Sequence, residues 1–164
     1  DHAEANAVPL FYSQHIKSGK VEFPIGKESE YLVTEQNGLL QKNSNYLFVK
    51  RFTAKEEHRR LQCGVYLARK HPEYDEISTQ NKINFICGQH ELSECVVYGL
   101  YALFNSTPYD CYYRILNGFT QVNSTEINAM PVPPMNMIEA MGKALIRSKD
   151  MSEASCDNIL RSFI

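Results

Sequence analysis

Residues 50–60 read KRFTAKEEHRR, placing Lys50, Arg51, Lys55, Arg59 and Arg60 within one short stretch against Glu56 and Glu57. Cationic side chains at that density can neutralise several phosphates of a polyanion, provided that they point outward. Thr53 stands three residues before Glu56, the capping-box spacing, and this predicts a short helix over residues 55–60. On such a helix Lys55 and Arg59 share a face, Glu56 and Arg60 form an internal pair, and the N-terminal amides add partial positive charge. The same residues also describe a charged helix that is only solvated surface.

A second constellation, NGFTQVNST, occupies residues 117–125. Gln and Asn amides can pair bidentately with the edge of an adenine, and Gly118 lets the backbone approach a ligand closely. An ordinary polar loop between helices has the same composition.

Other chemistry finds little footing. No Ser or Cys sits in a GxSxG elbow, and no histidine is placed by local context beside one. Cys87 and His90 have C-x-x-H spacing without a second pair, so no metal site is expected. His15, His58 and His71 lie in polar segments and read as solvated. The acidic pairs at Glu56 and Glu57 and between Glu73 and Glu76 do not suggest a dyad. No GxGxxG, no GxxxxGK[ST] and no Asn/Asp-Pro-Pro-aromatic tetrapeptide occurs; Pro133-Pro134 is followed by Met135. No catalytic residue is therefore assigned.

The elements that must position these stretches are legible in outline. The first 45 residues, broken by Pro9, Gly19, Pro24 and Gly26, read as short extended pieces, with a strand at residues 31–34 and a turn at Asn37-Gly38. Residues 46–52 (YLFVKRF), 61–68 and 81–87 have strand character. The apolar stripe of Leu92, Cys95, Val96, Gly99, Leu100, Leu103 and Phe104 predicts a helix. A second helix over 109–116 should end in a left-handed cap at Asn117-Gly118. Asn123 with Glu126 predicts a helical turn over 124–129, followed by an extended crossover forced by Pro131, Pro133 and Pro134. Two terminal helices, the second capped by Asp150, read as a hairpin appended from residue 135. The expected fold is thus α+β, a small mixed or antiparallel sheet with packed helices, divided as 1–134 and 135–164.

Bulk properties allow this reading without demanding it. The 164 residues suit one domain, and 43% hydrophobic with 22% charged residues is ordinary globular composition. A net charge of −2 means that any polyanion must meet a local patch. Five cysteines without a CxxC pair read as small buried hydrophobes in a reducing cytoplasm. No apolar run is long enough to span a bilayer, and the N-terminus has no signal-peptide layout. The absence of an initiator methionine suggests a piece of something longer, although removal of a tag would also account for it.

Together, KRFTAKEEHRR, NKINFI, the apolar helix ending LFNST, and NGFTQVNSTEINAMPVPP resemble the C-terminal target-recognition region of N6-adenine DNA methyltransferases of type II restriction–modification systems, TaqI-like in the broad sense. VPLFYSQHIKSGKVEFP resembles the segment leading from the catalytic into the recognition domain, and the likeness covers residues 8–134. It implies a two-part enzyme. One part binds S-adenosylmethionine and flips the adenine, and the other reads the surrounding duplex. Only the second part is matched, so the fragment is expected to bind DNA without a cofactor of its own, beside an N-terminal catalytic domain of the same parent. In that family role Lys50, Arg51, Lys55, Arg59 and Arg60 contact phosphates, Thr53 adds a donor, and Asn117, Thr120, Gln121 and Asn123 lie near bases or backbone. The Pro-rich step into a helix is also similar to type I specificity subunits. A restriction endonuclease domain and a protein-interaction module remain as readings from other classes.

Overall fold

The computed structural model describes residues 6–118 and 121–164, which form an α+β structure of two mixed sheets and five helices. Nine short strands appear in chain order: β1 (Val8–Phe11), β2 (Ile16–Lys17), β3 (Gly19–Val21), β4 (Tyr31–Leu32), β5 (Gln41–Lys42), β6 (Tyr46–Lys50), β7 (Cys63–Tyr66), β8 (Glu76–Thr79) and β9 (Ile83–Ile86). One sheet runs β4-β1-β8-β5 and the other β2-β3-β7-β6-β9, each with one parallel pair among antiparallel ones.

β6 shows why the molecule is layered. Leu47 and Val49 face a core shared with the helices, whereas Tyr46 and Phe48 face an aromatic core with Phe11, Tyr66 and Ile77. Alternate side chains of a strand project to opposite faces, so a strand apolar on both must lie between two buried layers. The five-stranded sheet is that middle layer. Phe48 stacks on Tyr66 at 5.1 Å between centroids, and Tyr66 stacks on His71 at 5.5 Å.

The helices are α1 (Glu94–Phe104), α2 (Thr107–Leu116), α3 (Ser124–Ala129), α4 (Met135–Ser148) and α5 (Glu153–Phe163). Ser93, Ser106 and Ser152 cap three of them by accepting from Val96, Tyr109 and Ser155 amides. The last helix is thus capped by Ser152, and Asp150 instead accepts from the Ser152 amide at 2.9 Å. The two terminal helices do not stand off as a separate layer. Ile138, Met141 and Leu145 of α4 share one core with Val96, Val97 and Leu100 of α1. The approach is close enough that a Cβ on Gly142 would lie 1.6 Å from the Cys95 carbonyl oxygen, and one on Gly99 1.8 Å from that of Ile138.

Several expectations need correction. Residues 55–60 form turns and bends rather than a helix. Asn117 ends α2 in an extended conformation (φ −143°, ψ 115°), so no left-handed cap forms there. Of the three histidines expected to be solvated, His15 is fully buried and His71 nearly so, and His58 is exposed. Two cysteines, Cys63 and Cys156, are buried; Cys87 and Cys111 are exposed and Cys95 is half-buried. Burial pushes the Cys156 thiol up to about 11. No helix among the described residues is long and apolar enough to cross a membrane.

Candidate nucleic-acid interface

The turn carrying the basic residues is built by side chains of α2. Asp110, buried in that helix, accepts from the backbone amides of Arg60 (2.9 Å) and Leu61 (2.8 Å) through Oδ1. Its other oxygen accepts from Arg114 Nε at 2.9 Å, four residues on. Arg114 then donates to the carbonyls of Lys55 (2.7 Å) and Glu57 (2.6 Å). Those carbonyls thus find their donors outside the turn, on a distant helix. Glu57 closes the turn by accepting from the Ala54 amide. That bond, with support from Gln62 and the nearby Lys50 and Arg60 charges, holds the Glu57 carboxyl below its ordinary range against a smaller effect of burial. Neither Asp110 nor Arg114 was singled out from the sequence, although their four-residue spacing on a helix was visible.

The five cations separate into two groups. Arg60 is wholly buried: its Nε donates to Thr53 Oγ1 (3.2 Å), its Nη1 to the Asn117 carbonyl (3.2 Å), and its guanidinium lies 5.5 Å from the Tyr113 ring centroid. Thr53 is buried beside it and donates to the Arg60 carbonyl at 2.8 Å. Burial pushes the Tyr113 hydroxyl up, partly offset by the Arg60 charge. Arg59 is mostly covered and held by Glu153 (3.1 Å) and Thr107 (2.7 Å). These three residues tie the turn to the body of the molecule. Lys50, Arg51 and Lys55 instead make no ion pair among the described residues. Lys55 is exposed; Lys50 and Arg51 are half-buried.

The second stretch meets the first directly. Phe52 and Gln121 form an antiparallel bridge, and the Val122 amide donates to the Arg51 carbonyl at 2.6 Å. Asn84 of β9 donates to the Val122 carbonyl at 2.7 Å, so residues 121–122 lie against the end of the five-stranded sheet. Asn117 is buried and donates to the Gln121 carbonyl and Glu126 Oε1, both at 3.1 Å. Gly118 is exposed, Gln121 and Asn123 are half-buried, and Asn123 occupies the N-cap of α3 without a side-chain cap bond. Thr120 lies outside the described residues. The surface between the two stretches carries Phe52, which is 52% exposed.

Among the described residues no three His, Cys, Asp or Glu side chains come together in a way that could hold a metal ion. The proline step of residues 131–134 lines an apolar groove with Tyr109, Tyr112 and Met137, and no acidic side chain faces into it. A nucleoside cofactor is commonly held by carboxylates that accept from ribose hydroxyls and pair with a methionine ammonium, and no Asp or Glu lines this groove. That groove therefore does not fit S-adenosylmethionine.

Two curated relatives share this stretch of sequence. The chain is 34% identical over 162 residues to the type II methyltransferase M.BsuBI of Bacillus subtilis, covering 96% of this chain and 32% of that protein. It is also 34% identical over 143 residues to the type II methyltransferase M.PstI of Providencia stuartii, covering 82% of this chain and 27% of that protein. The chain thus spans about a third of the length, or less, of the curated relatives it matches. No protein-family signature matches it. No solved structure matches it either.

Proposed function

We propose that this chain is the DNA target-recognition part of an adenine-specific type II methyltransferase, with methyl transfer carried out by a catalytic domain elsewhere in a longer polypeptide. The observation that carries this reading is the junction at Arg51–Gln121, where the basic turn and the amide-bearing stretch become one surface. Lys50, Arg51 and Lys55 bring charge that is tied up in no close ion pair among the described residues, although Lys50 lies near Glu57, and this suits contact with phosphates. Gln121, Asn123 and the exposed Gly118 backbone lie alongside, where base edges would be read. The relatives' type II methyltransferase names support a role in modifying DNA, and the missing cofactor and catalytic motifs assign the chemistry to another part. S-adenosylmethionine belongs to that part. The buried Arg60, Thr53 and Asn117 serve this surface by fixing its shape.

An electrophoretic shift assay on duplex DNA at low and moderate salt tests the reading. The wild-type chain should retard the duplex with an affinity that falls as salt rises. Lys50→Ala/Lys55→Ala should lower the salt slope by about two units, roughly one for each lost phosphate contact, with an unchanged melting temperature. Failure to bind at low salt, or binding indifferent to salt, would overturn it.

A further inference from the structure

Among the unpaired cations Arg51 differs from the lysines in being held still. Its backbone amide donates to the Lys82 carbonyl at 2.9 Å, and its carbonyl accepts from Val122. Its side chain is fixed from two sides as well. Nη1 donates to the Asn81 carbonyl at 3.2 Å, at the surface. In the amide orientation that satisfies both side chains, Gln121 accepts from Arg51 Nε (2.7 Å) and Nη2 (2.5 Å). A guanidinium has five N–H bonds, so three are committed and two remain, one on Nη1 and one on Nη2.

We infer that Arg51 reads a guanine edge, its two uncommitted N–H groups donating to O6 and N7 in the major groove, with Gln121 acting as the positioning residue. This rests on the DNA-recognition reading above and departs from a phosphate role for Arg51. Three features of the site distinguish the two roles. A planar fork held on two sides has already lost the freedom that a phosphate contact would leave it, and fixed geometry is what a two-acceptor base edge rewards. The guanine edge presents two acceptors to the two remaining donors. The Phe52 ring, half exposed, lies 5.9 Å from the Arg51 guanidinium carbon. An apolar ring suits the methyl groups and base edges of a groove floor better than the charged rim. Lys50 and Lys55 remain the phosphate contacts.

The test is selection of duplexes from a randomised library by the wild-type chain, Arg51→Ala, Arg51→Lys and Gln121→Ala, each checked by thermal melting. The wild-type motif should contain a guanine whose preference disappears in both Arg51 variants and weakens in Gln121→Ala. Arg51→Lys should keep the salt slope while losing that preference, which loss of a mere charge would not produce. Replacing that guanine with 7-deazaguanine should weaken wild-type binding by about tenfold and leave Arg51→Ala unaffected. Full guanine preference in Arg51→Lys would overturn the inference and leave the recognition role intact. So would a 7-deazaguanine scan in which no guanine matters to the wild type, a result independent of how the variants fold. No enriched motif from the wild type would overturn the recognition role itself.

Discussion

Side chains of one type perform opposite tasks within eleven residues, and burial decides which. Arg60 and Lys55 are both cations of the same turn, yet one is sealed under Tyr113 and the other stands in solvent. Arg60→Ala should cost roughly 3 kcal/mol, because it opens a cavity and takes away the donors to Thr53 Oγ1 and the Asn117 carbonyl. Lys55→Ala should leave the melting temperature within about a degree or two, the usual fate of a surface substitution. Thermal melts of both variants check this contrast, and equal effects would contradict the division of roles. A second buried pair sets a pH dependence. His15 Nδ1 accepts from the Tyr12 amide at 2.8 Å, so its Nε2 carries the proton donated to Glu30 at 2.8 Å. Burial works to raise the Glu30 carboxyl, but bonds from the Ile25 amide, His15 and the Lys27 amide together hold it below its ordinary range. A carboxyl lowered on folding adds stability at pH values above its unfolded range and loses it as pH falls through the folded value. Glu30→Gln should therefore lower stability at pH 7 by about 1–3 kcal/mol, and the gap to wild type should close below about pH 4. Denaturant melts across that range measure it; a gap that widens in acid would contradict the assignment.

Elements whose identity rests on local periodicity were legible, and those that rest on distant partners were not. The apolar stripe of α1, the strand β9 and the Asn123 start of α3 all follow from neighbours in sequence, and each is present, although Phe85 and Cys87 of the β9 segment are exposed. The turn at residues 55–60 has helical spacing, but Arg114 takes two of its carbonyls from more than fifty residues away. His15 looked polar because the partner that permits its burial, Glu30, is fifteen residues distant and acts through loop amides. At the site, the two stretches were recognisable separately; that they touch through the Phe52–Gln121 bridge depends on the tertiary path. The same argument applies to the terminal hairpin. Met137, Ile138, Met141 and Leu145 follow helical spacing, but the glycine contact that seats α4 on α1 needs Gly99 and Gly142 together. Gly142→Ala should force these helices apart and destabilise the chain by about 3 kcal/mol. Chemical denaturation checks it, and a neutral effect would mean that α4 is not seated on α1 as described.

For the whole molecule, the layered core does little chemistry and much positioning. Helices and two sheets fix β6, β9 and α2, and these in turn present one end of the middle sheet with Arg51, Phe52, Lys55 and Gln121. The proposed division of labour, duplex reading here and methyl transfer in the remainder of a longer polypeptide, follows from that surface and from the share of each relative that the chain covers. Hydrogen exchange of the chain at saturating duplex DNA tests the surface most directly. The account predicts new protection at residues 50–57 and 121–123, with amide exchange elsewhere unchanged. Protection confined to the groove around residues 131–134, or none at saturation, would contradict it.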